Sequence, residues 1–195
     1  MPSWLRGPRL TLVIAAALVA MVGALLAATG WTEPGVRLVI RATARTSVAL
    51  FLAAFLASTL RRRWPGPATS WLLQNRRYVG LGFAVSHLLH LLAILELYDV
   101  APAAFADLPW VTIIVGGGGF VVVGILAATS LDAAVRMLGA QRWRNLHRFG
   151  LYYLWIVFTF TYLRTSLVMT AVLVAALGLR LRGGRGGTAV QESRG

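Results

Sequence analysis

The 195-residue sequence contains no cysteine, which excludes disulfides, iron–sulfur ligation, thiolate zinc sites and cysteine nucleophiles. It contains no lysine and only six acidic residues; all 19 basic residues are arginine, and the formal charge is +13. Charged residues make up 13% of the chain against 58% hydrophobic, too few polar side chains to cover a soluble domain. The chain therefore reads as an integral membrane protein whose first partner is the lipid bilayer. A basic excess of this size also suits nucleic acid, but the arginines stand at the ends of long apolar runs, where membrane proteins keep their topogenic charge. Nucleic acid is excluded on that ground. Any metal would have to sit on histidine, of which there are three.

A transmembrane helix needs roughly 20 mostly apolar residues at ~1.5 Å each. Six spans are read, which predicts an all-α, polytopic six-helix bundle over residues 1–179. The first is Leu10 to Thr29, closed by Gly30 and Pro34; the second runs from about Val39 to Leu60 and stops at Arg61, Arg62 and Arg63. The third is Tyr78 to Leu97. The fourth is Trp110 to Thr129, after which Ser130 is placed to cap a short interfacial helix through Leu138 to Gly139. The run from Phe149 to Leu179 is too long for one crossing, about 46 Å as a single helix, with Arg164 near its middle. Two spans turning at Arg164-Thr165-Ser166 are expected instead. The first run reads as a retained helix and not a cleaved signal peptide, because its apolar stretch is long and Ala27-Ala28-Thr29 is a poor cleavage site. Residues 180–195, rich in glycine and arginine, read as a disordered basic tail. No stretch offers a strand, a glycine-rich turn and a helix in succession, so no nucleotide or flavin domain is expected in the sequence.

Orientation follows from the arginines. With the N-terminus inside, the inner segments carry fifteen arginines against Asp132 and Glu192, while the outer segments carry Arg37, Arg41, Arg45 and Arg164 against four acids. All the net charge lies on one side, as the positive-inside rule expects of a plasma-membrane protein with both termini cytoplasmic. Trp31, Trp64, Trp71, Tyr98 and Trp110 read as an interfacial belt.

His87 and His90 lie three apart in the third span, on one helix face. Histidine inside a bilayer is rare and is a functional candidate by default, because its polar atoms must find partners. Ligation of haem iron and a hydrogen bond to a neighbouring helix both remain open. His147 lies in Trp143-Arg144-Asn145-Leu146-His147-Arg148, where composition favours a headgroup contact. Gly116 to Gly119 read first as a close helix contact, and second as room for a flat cofactor edge. Arg37, Arg41 and Arg45 share one face at the outer start of the second span. They either snorkel to the surface, meet Glu96, Asp99 and Asp107, or bind an anionic group such as a haem propionate.

Five fragments then stand in a familiar order: Ser58-Thr59-Leu60-Arg61-Arg62; Asn75-Arg76-Arg77-Tyr78-Val79-Gly80-Leu81 leading to His90; Leu126 to Ser130; Leu138-Gly139; and Arg142 to Arg148. In order and spacing this resembles the ferric reductase-like transmembrane family, most of all its MsrQ branch of haem-bearing membrane subunits. The resemblance covers roughly Arg45 to Tyr162. It implies a six-helix bundle with b-type haem between the third and fifth spans, His90 matching the third-span ligand and His147 the first of two fifth-span histidines. The second of those, thirteen residues on, is here Phe160. If haem is bound, three arrangements are open: five-coordinate iron on His90, a substitute ligand such as Met169 or Tyr162, or helices offset enough for His87 or His90 to meet His147.

Two functions follow from the resemblance. The first is a membrane haem-b protein passing electrons towards an outer-face acceptor, an extracytoplasmic redox partner, from a separate cytoplasmic flavin reductase or a quinol. The second is a haem-free membrane scaffold or partner-binding subunit, for which the Phe160 departure is the main support. A transporter is a distant third, since no span shows paired carboxylates or broken half-helices.

Overall fold

The computed structural model of the chain describes residues 5–185, and these are all helix and connecting turn, with no strand among them. The helices are α1 (Pro8–Thr29), α2 (Glu33–Arg63), α3 (Pro67–Val100), α4 (Trp110–Ala128), the short α5 (Asp132–Leu138), α6 (Ala140–Leu163) and α7 (Leu167–Arg185), with a 3-10 turn at Pro102–Phe105. By length and composition α1, α2, α3 and α4 suffice to cross a membrane, so the chain is a multi-pass membrane protein. The long apolar run that begins at Phe149 is divided into α6 and α7 at Arg164, Thr165 and Ser166. Helix α7 continues to Arg185, and the rest of the expected basic tail, residues 186–195, lies outside the described residues.

The helix ends follow local chemistry. Pro34 stands in the first turn of α2, where its missing N–H costs nothing, and Thr32 Oγ1 accepts the Gly35 N–H at 3.3 Å. Arg61, Arg62 and Arg63 fill the last turn of α2, where cations suit the helix dipole. Ser130 does not cap α5. Its hydroxyl donates instead to the Leu126 carbonyl at 2.7 Å, and Leu131 takes the cap position without a side-chain bond. Gly139 then turns the chain from α5 into α6 with φ 75°, a left-handed value that suits only glycine well.

Helix α2 packs against α1, α3 and α7, and α6 against α4, α5 and α7. The core between them is aromatic: Phe51 and Phe55 of α2, Phe83 of α3 and Phe158 of α6 are buried, with Leu154 and Leu173 closing the cluster. Phe51 stands 5.4 Å from Phe55, 5.7 Å from Phe83 and 5.1 Å from Phe158, ring centre to ring centre. Glycine permits two of the close helix approaches. A Cβ on Gly82 would stand 2.8 Å from Ile14 of α1, and one on Gly150 would stand 2.8 Å from Leu126 of α4. Trp31, Trp64, Trp110 and Tyr98 are exposed near helix ends, as an interfacial belt requires, while Trp71 donates its ring N–H to the Leu5 carbonyl at 2.8 Å.

Candidate functional site

The α2–α3 interface carries a seam of hydroxyls. Thr43, Ser47 and Ser86 are fully buried; Ser86 Oγ lies 2.9 Å from Thr46 Oγ1 and 3.0 Å from Ser47 Oγ, and donates to the Thr43 carbonyl at 3.3 Å. His90 Nδ1 joins this seam at 3.1 Å from Thr43 Oγ1. Thr43 has a single hydroxyl proton, which points to the Val39 carbonyl at 2.7 Å. The imidazole is therefore assigned as the donor, Nδ1–H to Oγ1, and Nε2 keeps its lone pair. That is the tautomer of a metal-ligating histidine whose outer nitrogen is held by a second residue.

One turn away, His87 is buried among rings: Phe120 of α4 at 4.6 Å, Phe83 at 5.4 Å, Phe158 at 5.8 Å and His90 at 5.7 Å. Its Nδ1 is buried and has no hydrogen-bond partner. Leaving such an atom unsatisfied costs about 1–3 kcal/mol, which the four ring contacts must offset. A groove of about 390 Å³ between α1, α3 and α4 reaches it, lined by Leu88, Leu91, Phe120 and Gly124 among others.

His147 occupies a different place. Its ring lies 4.3 Å from that of Trp143, its Nε2 stands 3.1 Å from Thr129 Oγ1, and Trp143 donates to the Thr129 carbonyl at 2.8 Å. Helix α6 thus clips onto the end of α4. His147 lines an open cavity of about 290 Å³ bordered by α2, α3, α4, α6 and α7. Phe51, Phe83 and Leu154 form its deep wall, Gly80 leaves a gap in its side, and Arg76, Arg144, Arg148 and Arg180 stand at its rim. In sequence each of these arginines reads as topogenic charge at a span end, and no local spacing signals that they converge.

The structure brings His87 and His90 together and leaves His147 apart. Phe158 touches His87, so the two share a level, and Phe158 lies eleven residues beyond His147 on α6, roughly 16 Å along the axis. One iron cannot take both. Neither cavity is lined by His90. At the level of His87 the space between α3 and α6 is filled by Phe83 and Phe158, 6.0 Å apart. Phe160 is turned away from that contact and lies under the Arg164 guanidinium at 4.9 Å. Met169 and Tyr162 pack on the aromatic core, and the Tyr162 hydroxyl is buried without a partner. Among the described residues no three His, Asp or Glu side chains gather as a metal cluster.

The remaining candidates fall out as packing or surface. A Cβ on Gly118 would meet the Tyr153 hydroxyl, and one on Gly119 would stand 3.4 Å from Val157, so half of the glycine run is a contact with α6; Gly116 and Gly117 face open space. Arg37 pairs with Glu33 at 2.8 Å, and Arg41 and Arg45 are exposed; none of the three pairs with Glu96, Asp99 or Asp107.

Comparison with known proteins finds three curated relatives, each called the haem-binding subunit MsrQ of protein-methionine-sulfoxide reductase. That of Azospira oryzae is 37% identical over 125 residues, which are 57% of this chain and 52% of the relative. That of Ralstonia nicotianae is 39% identical over 115 residues, 56% of this chain and 51% of the relative. That of Polaromonas naphthalenivorans is 35% identical over 114 residues, 56% and 50%. The chain spans about half the length of the curated relatives it matches. No family model matches it, and no solved structure does. Over a little more than half of its length the chain is thus similar in sequence to the membrane subunit MsrQ.

Proposed function

We propose that the chain is a haem-binding subunit that carries electrons across the plasma membrane, crossing it six times with both termini and the arginine-rich end on the cytoplasmic side. Its donor is a separate flavin reductase or a quinol, and its acceptor is a redox partner at the opposite face. The similarity to MsrQ supports the class. The single observation that carries it for this chain is the arginine-rimmed cavity with His147 in its wall.

That cavity suits an iron porphyrin on each side. An imidazole supplies the nitrogen that haem iron takes most readily, ring and aliphatic walls suit the macrocycle, and the missing Cβ at Gly80 leaves room beside it. Haem, when bound, supplies a one-electron carrier. The chain's own part is positioning and tuning. Thr129 and Trp143 hold the His147 ring, and the buried Phe51, Phe83 and Leu154 give the deep side of the site an apolar wall, which tunes the potential. His90, with Nε2 free and Nδ1 fixed by Thr43, and His87 form a second imidazole station towards the opposite face. Phe83 touches both the cavity and His87, so aromatic contact is continuous between the two.

The haem-free scaffold keeps one supporting observation: Phe83 and Phe158 fill the level at which the family resemblance would place the porphyrin. An absorption spectrum of the purified protein, supplied with haem and recorded before and after dithionite, separates the two. The electron-transfer reading predicts a Soret band that shifts on reduction; a colourless preparation in excess haem assigns the scaffold.

A further inference from the structure

Topogenic arginines need only lie near the inner surface. Here they converge: Arg76 from α3, Arg144 and Arg148 from α6 and Arg180 from α7 border one opening. None of the four forms an ion pair with a carboxylate among the described residues, where the two ion pairs are Arg37 with Glu33 and Arg77 with Asp132. Arg144 is engaged by Gln141 at 2.5 Å. Arg180 is the most firmly held. Its guanidinium lies 4.2 Å over the Phe55 ring and 5.5 Å from that of Tyr152, and Nη1 donates to the Phe55 carbonyl. Two rings and one carbonyl fix the plane of the group and leave most of its five N–H donors unused.

Cations at the mouth and aromatic rings in depth select an amphiphile with an apolar body and anionic ends. A phospholipid has those parts, but it has no use for an imidazole in the cavity wall beside the open space at Gly80. A porphyrin with two carboxylates has a use for the imidazole and for the arginines. We propose that Arg76, Arg148 and Arg180 bind the propionate carboxylates of haem, so that the porphyrin enters the bundle at its arginine-rich end with His147 beside it. This rests on the haem reading above and adds which side chains fix the orientation. Guanidinium groups match carboxylates in paired hydrogen bonds, and an arginine fixed in advance loses less freedom on binding.

The test titrates the full chain in detergent with haem and with haem dimethyl ester, whose carboxylates are capped, following the Soret band. Esterification is expected to weaken binding to the unaltered protein about tenfold or more, from the loss of several charge-assisted contacts. Arg180→Gln and Arg76→Gln should each weaken haem binding by roughly three- to tenfold and leave the ester's affinity nearly unchanged. Arg77→Gln, whose guanidinium pairs with Asp132 away from the cavity, should change neither. Equal affinity for acid and ester in the unaltered protein overturns the proposal while leaving the haem reading in place, and this arm needs no variant to fold. If the arginines serve a lipid phosphate, acid and ester bind alike and Arg180→Gln lowers the phosphatidylglycerol retained by the purified protein, which also overturns it. No band with either porphyrin removes the haem reading and the proposal together.

Discussion

The arginine-rich end and the middle of the bundle each hold histidine, and they are built in opposite ways. Around His147 the helices stand apart far enough to leave a cavity, the rim is cationic, and the ring is steadied by one threonine and one tryptophan. Around His87 and His90 the helices close on phenylalanines, and a buried hydroxyl seam takes up the polar atoms that it can reach. The contrast shows that depth in the bilayer is a poor guide to ligand capacity. An opening is not enough by itself: the groove that reaches His87 is lined mostly by apolar side chains with no cation among them, and in this chain the cationic opening lies with the shallow imidazole.

The largest effect is expected at the α4–α6 contact that frames the cavity. Gly150→Val would drive two methyl groups against Leu126, which already stands 2.8 Å from where a Cβ would be and lines the cavity as well. We expect a loss of about 1–3 kcal/mol in stability. Thermal unfolding in detergent should show the lower midpoint, and haem binding should fall with it; an unchanged midpoint would mean that α4 and α6 do not meet there.

A smaller effect is expected in the middle. Thr43→Val removes the acceptor of the His90 Nδ1–H, at a cost of about 1 kcal/mol, and Thr43→Ser should restore most of it. Equal loss in both variants would assign the effect to side-chain shape and not to the hydrogen bond. The smallest effect sharpens the contrast. Phe160→His restores the residue that the family resemblance expects, yet position 160 lies roughly 20 Å along α6 from His147 and packs under Arg164. The visible spectrum of the haem-loaded protein should stay as it was. A change from high-spin to low-spin bands would place the iron at the level of His90.

The breaks between helices were legible because each is written locally: Pro34 after Gly30, three arginines after Leu60, and a polar turn at Arg164 to Ser166 inside an apolar run. The same local reading erred at Ser130, whose hydroxyl had a helix carbonyl within reach and took it in preference to the cap. The site was less legible, for a physical reason. Arg76, Arg148 and Arg180 belong to three helices whose neighbours are fixed by packing, and the positive-inside rule already accounts for each of them singly. Whether a ring at 158 or at 160 faces His87 is likewise decided by the rotation of α6, set by Gly150 against Leu126 and by Gly118 and Gly119 against Tyr153 and Val157. The pairing of His90 with Thr43 joins residues 47 apart in sequence, and no spacing within α2 or α3 announces it.

If iron is held at the arginine-rich end, the haem affinity of His147→Ala set against that of His90→Ala shows it. Removing His147 is expected to abolish the Soret shift on reduction or to weaken haem binding about tenfold or more, while removing His90 leaves the main band in place. Loss of the band in His90→Ala, with His147→Ala still coloured, would contradict it.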